Sequence, residues 1–257
     1  MAKPEVAPSE TSYGVKERTR LRRSPLRAVT DRREVHAVLD AGLMCHVGYV
    51  MDGQPYVTPT AYVRVGETLY WHGSSASKMI RHLEKGVPVC VTVALLDGLV
   101  LARSGFHSSF NYRSVMAFGE AQLVADEAEK MEALEHFVER VTPGRWAEMR
   151  PVNGQDMKAT KVVAMKLDEL SCKIRTGGPI DDEEDYALDI WAGEIPISTR
   201  IEDPLPDARL KPGVALPNEL PQGDGGPLLR PIQPHDRKEA LPHRARGQLR
   251  GDLLGGE

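Results

Sequence analysis

Two stretches concentrate the side chains that could do chemistry. Trp71-His72-Gly73-Ser74-Ser75-Ala76-Ser77-Lys78 closes a strand-like run and opens a helical one. Its hydroxyls and glycine supply donors with little bulk, and Lys78 falls in the first turn of a helix whose N-terminus carries partial positive charge, the chemistry of a phosphate site. Serine-rich helix starts are also ordinary capping devices. The second stretch, Ser109-Phe110-Asn111-Tyr112-Arg113-Ser114, offers Arg113 as a charge partner and Asn111, Tyr112 and Ser114 as donors or acceptors to a polar heterocycle, with Phe106 and His107 lining the same mouth. Such a loop could equally do no more than close a sheet. For proton transfer the candidates are His72, Tyr112 and His107. His72 comes first because it lies in the phosphate run, although bonding a ligand or capping a strand is an equally natural role for it.

Other chemistries are absent from the sequence. It has no GxGxxG after a strand, no GxxxxGK[ST], no HExxH and no GxSxG. Cys45, Cys90 and Cys172 are odd in number and widely spaced, which suits buried apolar residues rather than a disulfide framework or a CxxC clip. No metal site is expected. The formal net charge of −4 gives no nucleic-acid signal, and no apolar run is long enough for a membrane span. The start of the chain lacks the apolar core of a secretory signal, so a cytoplasmic protein is expected.

The elements that must position these residues follow from pattern. Asp31-Arg32-Arg33-Glu34 begins a short helix with Val35, Val38 and Leu39 as its apolar stripe and Gly42 as its stop. Leu43–Met51 and Tyr56–Val65 read as strands joined by the Asp52-Gly53 turn, and Thr68–His72 follows Gly66-Glu67 as a third. Met79, Ile80 and Leu83 mark a short crossing helix. Val87–Leu96 is a buried strand, Asp97-Gly98 a second hairpin signal, and Leu99–Ala102 the return. Tyr112–Val124 is a long strand. Asp126 then caps a helix whose buried face is Met131, Leu134, Phe137, Val138 and Val141. Thr160–Leu167 and Ser171–Arg175 complete an α+β chain: an antiparallel sheet of six or seven strands, closed as a barrel, with short flanking helices.

The ends differ in composition. Lys16, Arg18, Arg20, Arg22, Arg23, Arg27, Arg32 and Arg33 form a basic block, read either as a solvated arm or as arginines that fold back onto an anionic ligand or a partner subunit. All 14 aromatic residues fall at or before Trp191, and nine of the 19 prolines lie from Pro204 to Pro242, so the globular body ends near Trp191.

The chain resembles the FMN-binding split-barrel family related to pyridoxamine 5′-phosphate oxidase, particularly its flavin-nucleotide-binding branch with nitroimidazole-resistance-like proteins. The resemblance runs from about Arg22 to about Pro217. It rests on Leu39-Asp40-Ala41-Gly42, Cys45-His46-Val47-Gly48, Gln54 to Thr60, Leu69 to Ser74, Asp97 to Ser104, Asn111 to Val115 and Trp191-Ala192-Gly193. It implies a homodimeric split barrel with FMN at the subunit interface. Val57, Thr58, Pro59 and Thr60 would line the isoalloxazine and ribityl groups. Trp71, His72, Gly73 and Ser74 would sit beside the ribityl phosphate, and Ser77 and Lys78 would match the phosphate-binding Ser-Arg-Lys site with one of its two cations. Asn111, Tyr112, Arg113 and Ser114 would stand at the flavin edge, Ser114 replacing a glutamine, and Trp191 would reach the flavin of the other subunit. Glu194 and Ile195 stand where the oxidase has Tyr and Arg. A carboxylate there would repel an anionic phosphate ester by roughly 1 kcal/mol or more, which argues against pyridoxamine phosphate oxidation.

The implied domains are a flexible basic arm (1–21), an FMN-binding split barrel (22–178), an extended C-terminal arm packing on the dimer (179–217) and a disordered tail (218–257). The implied function is an FMN-dependent oxidoreductase moving electrons from a reduced nicotinamide to a small-molecule acceptor. The alternatives are a non-catalytic flavin carrier or sensor, and the same barrel holding haem, with His72 or His46 as ligand, or a deazaflavin.

Overall fold

The computed structural model describes residues 7–217. Residues 1–6 of the basic arm and the tail expected at 218–257 lie outside the described residues.

The expected helix forms as α1 (Arg32–Ala41): Asp31 accepts a hydrogen bond from the Glu34 amide at 3.0 Å, and Val35, Val38 and Leu39 are buried. Gly42 ends it for a packing reason rather than a left-handed turn. Its φ is −83°, and a Cβ there would lie 2.7 Å from Val93 Cγ1 and 2.9 Å from the Tyr62 hydroxyl.

Ahead of α1 lies a two-residue strand, β1 (Ala28–Val29). After it come β2 (Met44–Met51) and β3 (Gln54–Val65), joined by Asp52 and Gly53 with φ of 53° and 76°, the tight turn their sequence favours. Next are β4 (Thr68–Ser74), α2 (Lys78–Leu83), β5 (Lys85–Leu101) and β6 (Ser109–Leu123). The helices α3 (Glu127–Val141), α4 (Arg145–Glu148) and α5 (Gly154–Ala159) lead to β7 (Thr160–Lys166) and β8 (Glu169–Arg175), and β9 (Gly193–Pro196) lies in the C-terminal arm.

All nine described strands belong to one antiparallel sheet in the order β1-β8-β6-β7-β4-β3-β2-β5-β9, with a direct pairing of β5 to β6 as well. The protein is therefore α+β, with seven longer strands and two short edge additions. Trp71, Tyr62, Leu69, Val47, Met165 and Ile174 fill the main core. A smaller apolar cluster of Val124, Ala133 and Val162, with Tyr70 and Leu134 packed on it, seats α3 on the opposite side of β4 and β7. No helix among the described residues is long and apolar enough to cross a membrane.

Three expectations change. The first is the face of α3, where Ala133 is the buried residue and Val141 is exposed, because the helix packs on the sheet with only part of its expected stripe. Asp97-Gly98 is not a hairpin turn: β5 runs straight through it, with a bulge between Leu96 and Gly98, and pairs with β6 as far as Val100. The bulge turns the Asp97 carboxylate onto Arg113. The described part of the N-terminal arm is docked rather than free. Tyr13 is buried, its hydroxyl donating to Glu67 at 2.6 Å, and Lys16 and Arg18 both bond Glu169.

Candidate functional site

The residues singled out from the sequence gather into two groups. The first is built by β3, β4 and α2. Tyr56 stacks on Tyr49 with ring centroids 5.4 Å apart, and Lys78 Nζ lies 5.6 Å from the Tyr56 centroid, so the start of α2 meets the Val57–Thr60 strand. Val57 and Pro59 point outward on β3, while Thr58 and Thr60 alternate to the other face, where Thr58 Oγ1 lies 3.3 Å from the Tyr49 hydroxyl. Lys78 is exposed and has no carboxylate partner among the described residues.

The loop before it is less open than its composition suggests. The amides of Ser75 and Ser77 donate to the carbonyls of Ala159 and Ser74, the Ala76 amide to Ser74 Oγ, and Ser77 Oγ accepts from Ile80 N as the cap of α2. With six residues, α2 is also too short to develop much dipole. What this corner offers an anion is the Lys78 ammonium and the serine hydroxyls.

Trp71 is fully buried in the core, with its Nε1 lacking a hydrogen-bond partner, so its side chain faces away from any ligand on the surface. His72 and Gly73 follow on β4. The His72 ring meets Phe137 of α3 edge-on at 4.5 Å, its Nδ1 is buried without a partner, and burial lowers its pKa so that it stays neutral.

The second group lies where β6 begins and the C-terminal arm returns. Arg113 is 2% exposed and makes a bidentate pair with Asp97, at 2.8 and 2.7 Å. Its charge, expected to face a ligand, is neutralised inside the fold. Asn111 donates to Glu194 of β9 at 2.6 Å and accepts from Arg175. The Arg175 guanidinium also bonds the carbonyls of Gly177 and Gly178, and burial, with Arg27 nearby, lowers its pKa. Tyr112 carries Lys173 Nζ 6.0 Å from its ring centroid, and the Ser114 hydroxyl donates to the Lys173 carbonyl at 3.4 Å. Trp191 is 66% exposed, and Gly193 lets its ring lie close, since a Cβ there would meet it at 3.0 Å. His107 Nε2 lies 3.2 Å from Asp182 Oδ2.

The three candidates for proton transfer do not converge: His72 is on the α3 side of β4, Tyr112 at the start of β6, His107 in the loop before it. The outer face of the sheet lies between the two groups. Along one row Pro59 pairs with His46, His46 with Thr92 and Thr92 with Met116, and Ser114 stands one outward position farther along β6.

A family model described as pyridoxamine 5′-phosphate oxidase matches residues 31–174, from the cap of α1 to the end of β8. The chain belongs to the pyridoxamine 5′-phosphate oxidase family. Its similarity extends beyond that span to solved structures. The flavocytochrome Anf3 from Azotobacter vinelandii is 47% identical, with a TM-score of 0.77, over 80% of this chain and 95% of that one. The FAD and haem binding protein from Mycobacterium smegmatis is 37% identical, with a TM-score of 0.72, over 75% of this chain and 95% of that one. No curated protein matches the chain.

Within this pyridoxamine 5′-phosphate oxidase fold, the residues that hold the second group together were not legible in advance. Asp97 was hidden by its hairpin-like Asp-Gly signature. Arg175 carried no local signal, because its partners come from Asn111, far back in the chain, and from carbonyls that any residue supplies.

Proposed function

We propose that the protein is a flavin- and haem-binding redox protein that assembles as a homodimer of split barrels in the cytoplasm, and moves electrons from a reduced nicotinamide to a small-molecule acceptor. The observation that carries the flavin reading is Lys78, an exposed ammonium with no carboxylate partner among the described residues, standing over Tyr56 on the face of β3 that also carries Thr58 and Thr60. Lys78 and the Ser75 and Ser77 hydroxyls would hold the phosphate next to the ribityl chain, a group that FMN and FAD share. Tyr112, Ser114 and Trp191 would meet the ring system, with Ser114 replacing a larger amide, while Asn111 is held inside by Glu194 and Arg175.

The names of the two relatives support FAD and haem alongside the FMN expected from the sequence. When bound, a flavin supplies two-electron chemistry and a haem one-electron exchange. The chain's own part is to bind, orient and shield them. The homodimer is supported by exposed apolar side chains on the outer sheet face, Met44, Val50, Val57, Leu96 and Met116, and along the C-terminal arm, where Ile190 and Trp191 find no cover in one chain.

A carrier or sensor without turnover is the second reading, favoured by the scatter of His72, Tyr112 and His107. Absorbance spectra and mass spectrometry of the ligand released from the purified protein test the proposal, with light scattering for the mass. A two-chain species carrying FMN or FAD is expected. A protein that shows no flavin band after incubation with either nucleotide defeats the reading. Anaerobic addition of NADH and NADPH separates the two roles: bleaching at a useful rate supports turnover, and a flavin that stays oxidised supports the carrier.

A further inference from the structure

A histidine that holds a haem iron offers it one free ring nitrogen of a neutral imidazole, with an apolar wall beside it for the macrocycle. Six histidines lie among the described residues, and five of them are engaged. His36 shares the Tyr13 hydroxyl and the Glu67 carboxylate. His82 Nε2 lies 2.8 Å from the Val50 carbonyl oxygen, and His107 is paired with Asp182. His136 faces Glu132 one turn away on α3. His72 is packed edge-on against Phe137 with its Nδ1 sealed from solvent.

His46 alone has no hydrogen bond, ion pair or ring contact among the described residues. Alternation along β2 sends Cys45, Val47 and Tyr49 into the core and leaves Met44, His46, Gly48 and Val50 on the outer face. Its cross-strand neighbours are Pro59 and Thr92, and around it lie Val57, Ala94 and Met116, all exposed. The imidazole thus stands on a mostly apolar part of the outer sheet face, with Pro59 and Thr92 directly at its sides. It is one ladder step, about 4.8 Å, from the strand assigned to the flavin.

We propose that His46 is the axial ligand of the haem, in a site on the outer face of β2, β3 and β5 that the second copy closes over. This rests on the haem reading given above. It distinguishes between the two histidines, His46 and His72, that the sequence left open.

The test uses the full chain, produced with haem precursor and reconstituted with hemin, in wild-type, His46→Ala, His46→Gly and His72→Ala forms. The wild type is expected to show a Soret band with the spectral and electron-paramagnetic signature of imidazole ligation. In His46→Ala that signature should disappear and hemin affinity fall by about tenfold or more, at least what losing a group behind a metal ligand costs. Flavin content and thermal midpoint should be unchanged, since His46 is exposed. Imidazole added to His46→Gly should restore the ligated spectrum, which no merely structural role would do. An unaltered spectrum and affinity in His46→Ala, or loss of ligation in His72→Ala instead, overturns the assignment and leaves haem binding standing. A wild-type protein that takes up no hemin overturns the haem reading itself, and the assignment with it.

Discussion

Two cations near the candidate site have opposite situations, and each gives a prediction. Lys78 is exposed with only an aromatic face beside it, so its charge is available to a phosphate. Removing one charged hydrogen bond in Lys78→Ala should weaken FMN or FAD binding by about 1.5–3 kcal/mol, roughly ten- to a hundredfold by fluorescence titration. Unchanged affinity would place the phosphate elsewhere. Arg113 is buried and satisfied by Asp97. Asp97→Ala should therefore cost about 3–5 kcal/mol in chemical denaturation, because it strands a guanidinium away from water. Pairing it with Arg113→Leu should recover most of that loss. A cost below about 1 kcal/mol, the scale of a surface pair, would contradict the burial argument. At this scale the sequence was legible for residue type and not for partner. Asn111 and Arg113 were singled out for the right stretch of chain, but their bonds to Glu194 and Asp97 depend on a register that no local pattern encodes.

Elements were easier to read where one physical signal dominated. The hairpin of β2 and β3 follows from Asp52-Gly53, and the start and buried stripe of α1 from Asp31 and Val35, Val38 and Leu39. Asp97-Gly98 misled because the same dipeptide that reverses a chain also accommodates a bulge, and only the matching length of β6 decides between them. The end of α1 shows a second kind of illegibility. Arg140, from α3, donates to the carbonyls of Leu39, Asp40, Gly42 and Tyr62, so one helix closes the other from about a hundred residues away. Its loss in Arg140→Ala should destabilise the fold by about 1.5–3 kcal/mol. Arg140→Lys should recover little of it, because a point ammonium cannot serve four acceptors as the planar fork does. Thermal or chemical unfolding of the two variants checks this, and full recovery by lysine would count against the fork.

At the scale of the whole molecule, the basic block at the N-terminus turns from an expected free arm into a clasp on β8. The Arg18 hydrogen bond, with help from Lys16 and against the opposing effect of burial, holds the Glu169 carboxyl below its ordinary value of 4.5. A carboxylate depressed by folding stabilises the folded state fully above its unfolded value, and that contribution is lost as pH falls through the lower, folded value. Hydrogen exchange should accordingly show residues 7–21 protected at neutral pH and released as the pH drops below about 4.5. Glu169→Gln should weaken the clasp at every pH and flatten the acid dependence. An acid dependence that survives the substitution would assign it to Glu67, which holds Tyr13.

That clasp also sets an order of events during synthesis. Arg18 and Glu169 are 151 residues apart, so Arg18 leaves the ribosome long before the strand that receives it exists. For most of translation the segment around Lys16 and Arg18 is an uncaptured basic stretch, open to proteases and to anionic surfaces. Lys16 and Arg18 gain their place only when β8 has emerged and folded, whereas Tyr13 can dock on Glu67 earlier. Chains stalled short of Glu169 should be clipped within residues 16–21, and chains released past it should resist. The clasp made by Arg18 closes late.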